Sequence, residues 1–137
     1  MIKYSKELPP NWDMIQATFK GVTWERGIIV TYGDTYYCKE KVSDDLEAHE
    51  ETHMRQQEAW GVEEWWKNYI ENPVFRLDQE VEAYKNQLAF LRNKMMAFSR
   101  NERRYKIKQY QEHFAMILSS DIYGHMIQYN QALQKLL

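Results

Sequence analysis

Six residues, Leu77, Val81, Tyr84, Leu88, Leu91 and Met95, recur at intervals of 4, 3, 4, 3 and 4. A strand alternates its faces every second residue and cannot place all six on one side. An α-helix puts them on a single stripe. The repeat therefore predicts a helix from about Phe75 to Phe98. Its apolar stripe needs other elements to cover it.

A second predicted helix, about Asp44 to Trp60, breaks the rule that the first one obeys. Ser43-Asp44-Asp45 starts it, with acidic residues where the helix dipole favours them, and Gly61 stops it. Its inward stripe reads Leu46, His49, His53, Gln56 or Gln57, and Trp60. Apolar residues stand at the ends of that stripe and polar ones in its middle. A helix that only filled a core would carry Leu or Val at positions 49, 53 and 56. Such a conflict between pattern and burial marks a site.

The middle of the stripe is His49-Glu50-Glu51-Thr52-His53, an H-E-x-x-H sequence. Residues four apart lie one helical turn above each other, so both imidazoles can hold one zinc ion from the same side. Glu50 is rotated to the flank, where it is no ligand but can take a proton from a water at the ion. A shift of one residue would turn a histidine away. The bland alternative is a solvated helix face, but four histidines in the whole chain make a chance match improbable.

A catalytic zinc takes three protein ligands and leaves one position open. Downstream candidates for the third are Asp78, Glu80, Glu82, His113 and His125. Metzincins place a histidine six residues after the second one; Ala59 stands there, which excludes that group. Measured from the Leu77/Val81/Tyr84/Leu88 stripe, Glu80 lies about 60° off the buried direction, Asp78 about 100° and Glu82 about 140°. Glu80 is the carboxylate best placed to meet the two histidines across a helix–helix contact.

His49-Glu50-Glu51-Thr52-His53 followed by Glu80-Val81-Glu82-Ala83-Tyr84 resembles the gluzincins, zinc metallopeptidases with H-E-x-x-H on one helix and a glutamate ligand on a later one. By that resemblance Glu80 is the ligand, in agreement with the angular argument, and Ala83 lets the two helices approach. Tyr84 stands where some branches have Asp. The run through Met54-Arg55-Gln56-Gln57, the second motif and the small size are also similar to small metallopeptidases encoded by tailed phages, over about residues 28–137. The resemblance implies a minimal zincin-like fold, a peptide or protein substrate, and a Tyr or His that steadies the oxyanion. Tyr123 is the candidate for that role and His125 the second. Against it stands plain aromatic packing at a helix turn. Tyr84 reads as core or as a partner of Glu80, and His113 as a surface histidine.

The rest of the chain supplies the frame. Asn11 caps a short helix with Trp12, Ile15 and Phe19 on its stripe, ended by Lys20-Gly21. Gly27 opens the run Ile28-Ile29-Val30-Thr31-Tyr32, Gly33-Asp34 turns, and Thr35-Tyr36-Tyr37-Cys38 returns as a hairpin. That hairpin either covers the helical core or offers an edge beside the metal where an extended peptide adds as another strand. Glu63 to Ile70 is a short helix closed by Asn72-Pro73. Ser99 and Glu102 form a capping box for a helix carrying Tyr105, Tyr110, Phe114, Ile117 and Leu118. Ser119-Ser120-Asp121 breaks it, and a last short helix holds Leu133, Leu136 and Leu137. The expected architecture is one domain, mainly α with an α+β character: a small hairpin packed on about five helices.

Charge and composition narrow the function. A net charge of −2 gives no pull toward nucleic acid or an anionic membrane, and the basic run Arg100, Arg103, Arg104, Lys106 and Lys108 reads as a solvated face. Cys38 is the only cysteine, so no disulfide forms within the chain. Neither a signal peptide nor a membrane span is visible, which fits a cytoplasmic or virion-associated protein. Two functions remain: a zinc peptidase with Glu50 as general base, or a zinc-bearing structural or interaction protein such as a virion component. Retention of Glu50, which ion binding alone does not require, favours the enzyme.

Overall fold

The computed structural model describes residues 1–137 as six α-helices and three short strands. In chain order they are β1 (Lys3–Ser5), α1 (Trp12–Thr18), β2 (Val30–Tyr32), β3 (Thr35–Tyr37), α2 (Asp44–Trp60), α3 (Val62–Glu71), α4 (Pro73–Lys94), α5 (Arg100–Leu118) and α6 (Tyr129–Leu136). Single 3-10 turns occupy Trp24–Arg26 and Asp121–Tyr123. The mainly α, α+β class and the β2–β3 hairpin are as the sequence predicts. No helix is long and apolar enough to cross a membrane.

The sheet has one more strand than expected. β1 pairs parallel with β3, Lys3 opposite Thr35, so the order is β1-β3-β2 and β2 is an edge. Three residues carry too little pattern to announce a strand. α4 also begins earlier than predicted, at Pro73 rather than Phe75, and ends at Lys94 rather than Phe98. Asn72 does not merely close α3: its side chain accepts from the Val74 and Phe75 amides at 3.0 and 3.2 Å. Pro73, with no N–H to waste and φ already helical, then starts the helix. Half of the capping box at Ser99 forms: its hydroxyl accepts from the Glu102 amide at 3.2 Å, while the Glu102 carboxylate accepts from that hydroxyl at 3.3 Å instead of from the Ser99 backbone N–H. Trp60, expected inside, is exposed and packs edge-on against Phe75 at the surface.

Two apolar clusters flank α4. On one side Tyr84, Leu88, Leu91 and Met95 meet Phe114 and Leu118 of α5 and Leu136 of α6. On the other, Trp12, Ile15 and Phe19 of α1 join Trp65, Trp66 and Tyr69 of α3. Between them, α2 and α4 meet through polar groups. Asn86 donates to Thr52 at 3.1 Å, and Lys94 pairs with Asp44 at 3.3 Å at the exposed end. The matched positions fall along α2 as they rise along α4, so the helices are antiparallel.

Leu88 is almost fully buried in the larger cluster. Leu88→Ala is expected to cost about 2–5 kcal/mol in denaturant unfolding, because a tightly packed helical core collapses poorly around a lost isobutyl group.

Candidate metal centre

His49 and His53 share one face of α2 because the helix repeats every 3.6 residues, and Glu50 lies on the flank of that face. Opposite them on α4 stands Glu80, with Ala83 between it and Gln87 on the same face and fully buried. All three candidate ligands are only 3–5 % exposed. Glu80 Oε1 lies 3.2 Å from His49 Nε2, and Glu80 Oε2 lies 3.2 Å from His53 Nε2. The three ligand atoms fall within 4.8 Å of one another, a set that can hold a metal ion. Glu82 is at the exposed rim, and His113 and His125 face solvent, so none of them joins the set.

The hydrogen bonds behind the histidines decide which nitrogen faces the site. His53 Nδ1 is 2.9 Å from Gln56 Oε1, and the amide group of Gln56 donates to Glu82 at 2.7 Å and to the Gln79 carbonyl at 3.1 Å. Those last two oxygens can only accept. The NH2 end of Gln56 must therefore face them, its oxygen must face His53, and His53 Nδ1 must carry a proton. His49 repeats the arrangement. Its Nδ1 donates to Gln87 Oε1 at 3.1 Å, and Gln87 donates to Asp45 at 2.8 Å. In each neutral imidazole the lone pair is then on Nε2, aimed at Glu80.

Glu80 is prepared for a cation. Tyr69 donates to its Oε2 at 2.7 Å. Its Oε1 is buried with no hydrogen-bond partner. Two imidazole lone pairs and an unsatisfied carboxylate oxygen converge with no donor among them, which fits a metal ion. Donors 2.0–2.1 Å from a tetrahedral ion stand about 3.3 Å apart; each Nε2 lies 3.2 Å from a different oxygen of Glu80, and one donor atom from each residue falls within 4.8 Å of the others. Without an ion, a proton takes its place. Burial by itself would lower the His53 pKa, but the adjoining Glu80 carboxylate raises it to about 9. Burial pushes the Glu80 carboxyl up, and the two histidines overrule it and hold the group well below the usual carboxylate range.

Glu50 is beside this set and outside it. Its Oε1 accepts from Thr31 of β2 at 2.9 Å, and its Oε2 is 3.8 Å from His49 Nε2. Burial raises its pKa against the pull of the histidines. Tyr123 lines the same cavity, and its hydroxyl is 2.9 Å from that of Tyr84, whose ring packs edge-on against His49. Tyr84 thus serves both as core and as a neighbour of the site. Arg76, one turn before Glu80, donates to the Tyr123 carbonyl at 3.2 Å and the Tyr69 carbonyl at 2.7 Å, tying both tyrosines to α4.

Sequence reasoning did not assign Tyr69, Thr31, Gln87, Asp45 or Arg76 to the site. Gln56 and Gln57 were detectable as polar residues on an inward stripe. Gln87 had the same signal, at i+7 from Glu80, but the others read as ordinary core, strand or cap residues. No protein-family model matches this chain, and no curated protein or solved structure matches it.

Two outcomes follow for ion binding, with Co2+ as an optical probe. Glu80→Ala is expected to weaken binding at least about 100-fold, and Glu82→Gln to change it by less than about threefold. Glu82→Lys removes the acceptor that orients Gln56 and is expected to cost about 10- to 100-fold. Affinity also depends on pH. The His53–Glu80 ion pair stabilises the ion-free fold fully between the free carboxyl value of about 4.3 and about pH 6.5, weakens at lower pH as the carboxyl takes up a proton, and loses its effect as pH rises through about 9. An ion must displace that proton. Affinity should rise with pH up to about 9, with about one proton released per ion at pH 7.5 by calorimetry in two buffers.

Proposed function

We propose that the chain is a zinc-dependent metallopeptidase of the gluzincin kind, with His49, His53 and Glu80 as ligands and Glu50 as general base. The observation that carries this reading is Glu50: a buried carboxylate with one oxygen held by Thr31 and the other turned to the site. Holding an ion does not require it, so a purely structural zinc protein leaves it without a task. The same consideration separates zinc from iron(II), which also takes two histidines and a carboxylate. Iron-dependent oxygen chemistry has no need of a carboxylate base at that position, whereas hydrolysis does.

Zinc, when bound, supplies a Lewis acid that polarises the substrate carbonyl and makes a water at the site more acidic. Glu50 takes the proton from the attacking water and delivers it to the leaving nitrogen. The C–O bond forms, the C–N bond breaks, and a carboxylate and an amine leave. The raised pKa of Glu50 suits both halves of that transfer, since a base poised nearer neutrality also serves as an acid. Tyr123 is the proposed donor to the oxyanion. Its hydroxyl pairs with that of Tyr84; when Tyr84 donates, Tyr123 accepts and its own proton is free for the oxyanion.

An extended substrate can meet β2. The Thr31 carbonyl accepts from α2 and α3, so the outward edge of β2 is the one beside the site. The Ile29 carbonyl lies two residues back on that edge, where a peptide N–H can reach it.

As-purified protein is expected to contain one zinc per chain by elemental analysis. A chain that neither carries nor takes up zinc would sink the reading. Glu50→Gln should retain zinc and the folding transition but lose at least about 100-fold in turnover of any cleaved peptide, because it removes the base and no ligand. Near-normal turnover would show that Glu50 is not the base.

A further inference from the structure

The cavity in front of the ligands is small and mostly apolar in its lining. Its volume is about 250 Å³, slightly below the roughly 300–1,000 Å³ usual for small-molecule sites. Its lining includes Ile15, Phe19, Val22, Ile28, Ile117 and Ile122. Arg26 is the only Lys or Arg in the lining, and it is occupied: it pairs with Asp121 at 3.3 Å and donates to the Gly21 carbonyl. An acidic side chain entering this space loses its water and meets no uncommitted Lys or Arg. An aliphatic one replaces water against hydrocarbon.

The edge of β2 is closed just past the site. Gln57 donates to the Thr31 carbonyl at 2.8 Å and accepts from the Gly33 amide at 2.7 Å. Its carboxamide therefore sits as one peptide unit of an added strand would sit. Trp66 donates to the same Thr31 carbonyl at 3.2 Å and backs the closure. An added chain can pair with Ile29 and the Thr31 amide, and one residue further on it meets Gln57. Gln57 is fully buried, so the closure belongs to the packed interior and not to a mobile surface residue.

We infer that the site accepts the end of a short peptide whose terminal region places one large aliphatic side chain in this chamber, and that it rejects a polypeptide running through as a continuous strand. The inference rests on the peptidase reading and makes Gln57 the residue that limits substrate length, with Ile117 and Ile122 selecting the side chain.

The test uses the full chain loaded with zinc. Binding of leucine hydroxamate and glutamate hydroxamate is compared by calorimetry, and cleavage of blocked tetrapeptides is compared with cleavage of denatured casein. Leucine hydroxamate is expected to bind at least about tenfold more tightly, the order given by burial of one aliphatic side chain. Ile122→Glu should erase that preference and leave zinc affinity unchanged. Tetrapeptides should be cut and casein left intact, and Gln57→Ala, which frees the Gly33 amide, should begin to cut casein. Should Gln57→Ala fail to fold, the wild-type comparison and the Ile122 variant still decide. Equal binding of the two hydroxamates, or internal cleavage of casein by wild type as fast as of tetrapeptides, overturns the inference. If no peptide of any length is cut, the peptidase reading falls instead, and the hydroxamate preference separately decides whether the chamber is aliphatic.

Discussion

The fold depends on a carboxylate buried between two histidines. Glu80 reaches across from α4 to His49 and His53 of α2 at 3.2 Å each, almost out of contact with water. A charge so placed is costly unless it is paired and hydrogen-bonded. Everything around it serves that need. Tyr69 supplies a hydrogen bond from α3, and the rings of Trp65 and Tyr84 pack against His53 and His49. Arg76 ties Tyr69 to the turn that carries Tyr123. The hydrophobic clusters on either side make the contact rigid. They cannot by themselves align α2 with α4, because the interface between those helices is polar.

The two glutamines give the contact its chemical direction. Acceptors at Glu82, Asp45 and the Gln79 carbonyl fix how the Gln56 and Gln87 amides lie, and the amides fix which imidazole nitrogen bears the proton. A site seen only as His, His and Glu could be an ion pair with a shared proton. With both Nδ1 atoms already donating, each Nε2 is left to the interior, where it can take either a proton or a metal ion. Thr31 does for Glu50 what the glutamines do for the histidines, holding one oxygen so that the other faces the cavity.

The sheet and α2 are joined by the same kind of side-chain bonding. Gln57 and Trp66 close one end of the outer edge of β2, at the Thr31 carbonyl and the Gly33 amide, which would otherwise extend an open template for another strand. Closure of the edge next to the site couples two properties with different origins. One is protection of a short sheet from unwanted pairing; the other, on the proposed peptidase reading, is the reach of an extended substrate into the cavity.

Much of this was readable from the chain alone, for a definite reason. Helix periodicity is local, so the six-residue apolar repeat established α4, and a polar interruption on an inward stripe exposed His49 and His53. Rotation along one helix also separated Glu80 from Glu82, since two residues turn a side chain through about 200°. What the sequence could not determine involves contacts between residues far apart in the chain, which leave no period. Tyr69 looks like any aromatic on an apolar face, Thr31 like any strand residue, and Asp45 like a helix start. Their roles at the site came only from tertiary packing, which brought α2, α3, α4 and β2 around one buried carboxylate. The orientation of each glutamine amide was likewise decided there, by acceptors 23 to 42 residues away in sequence.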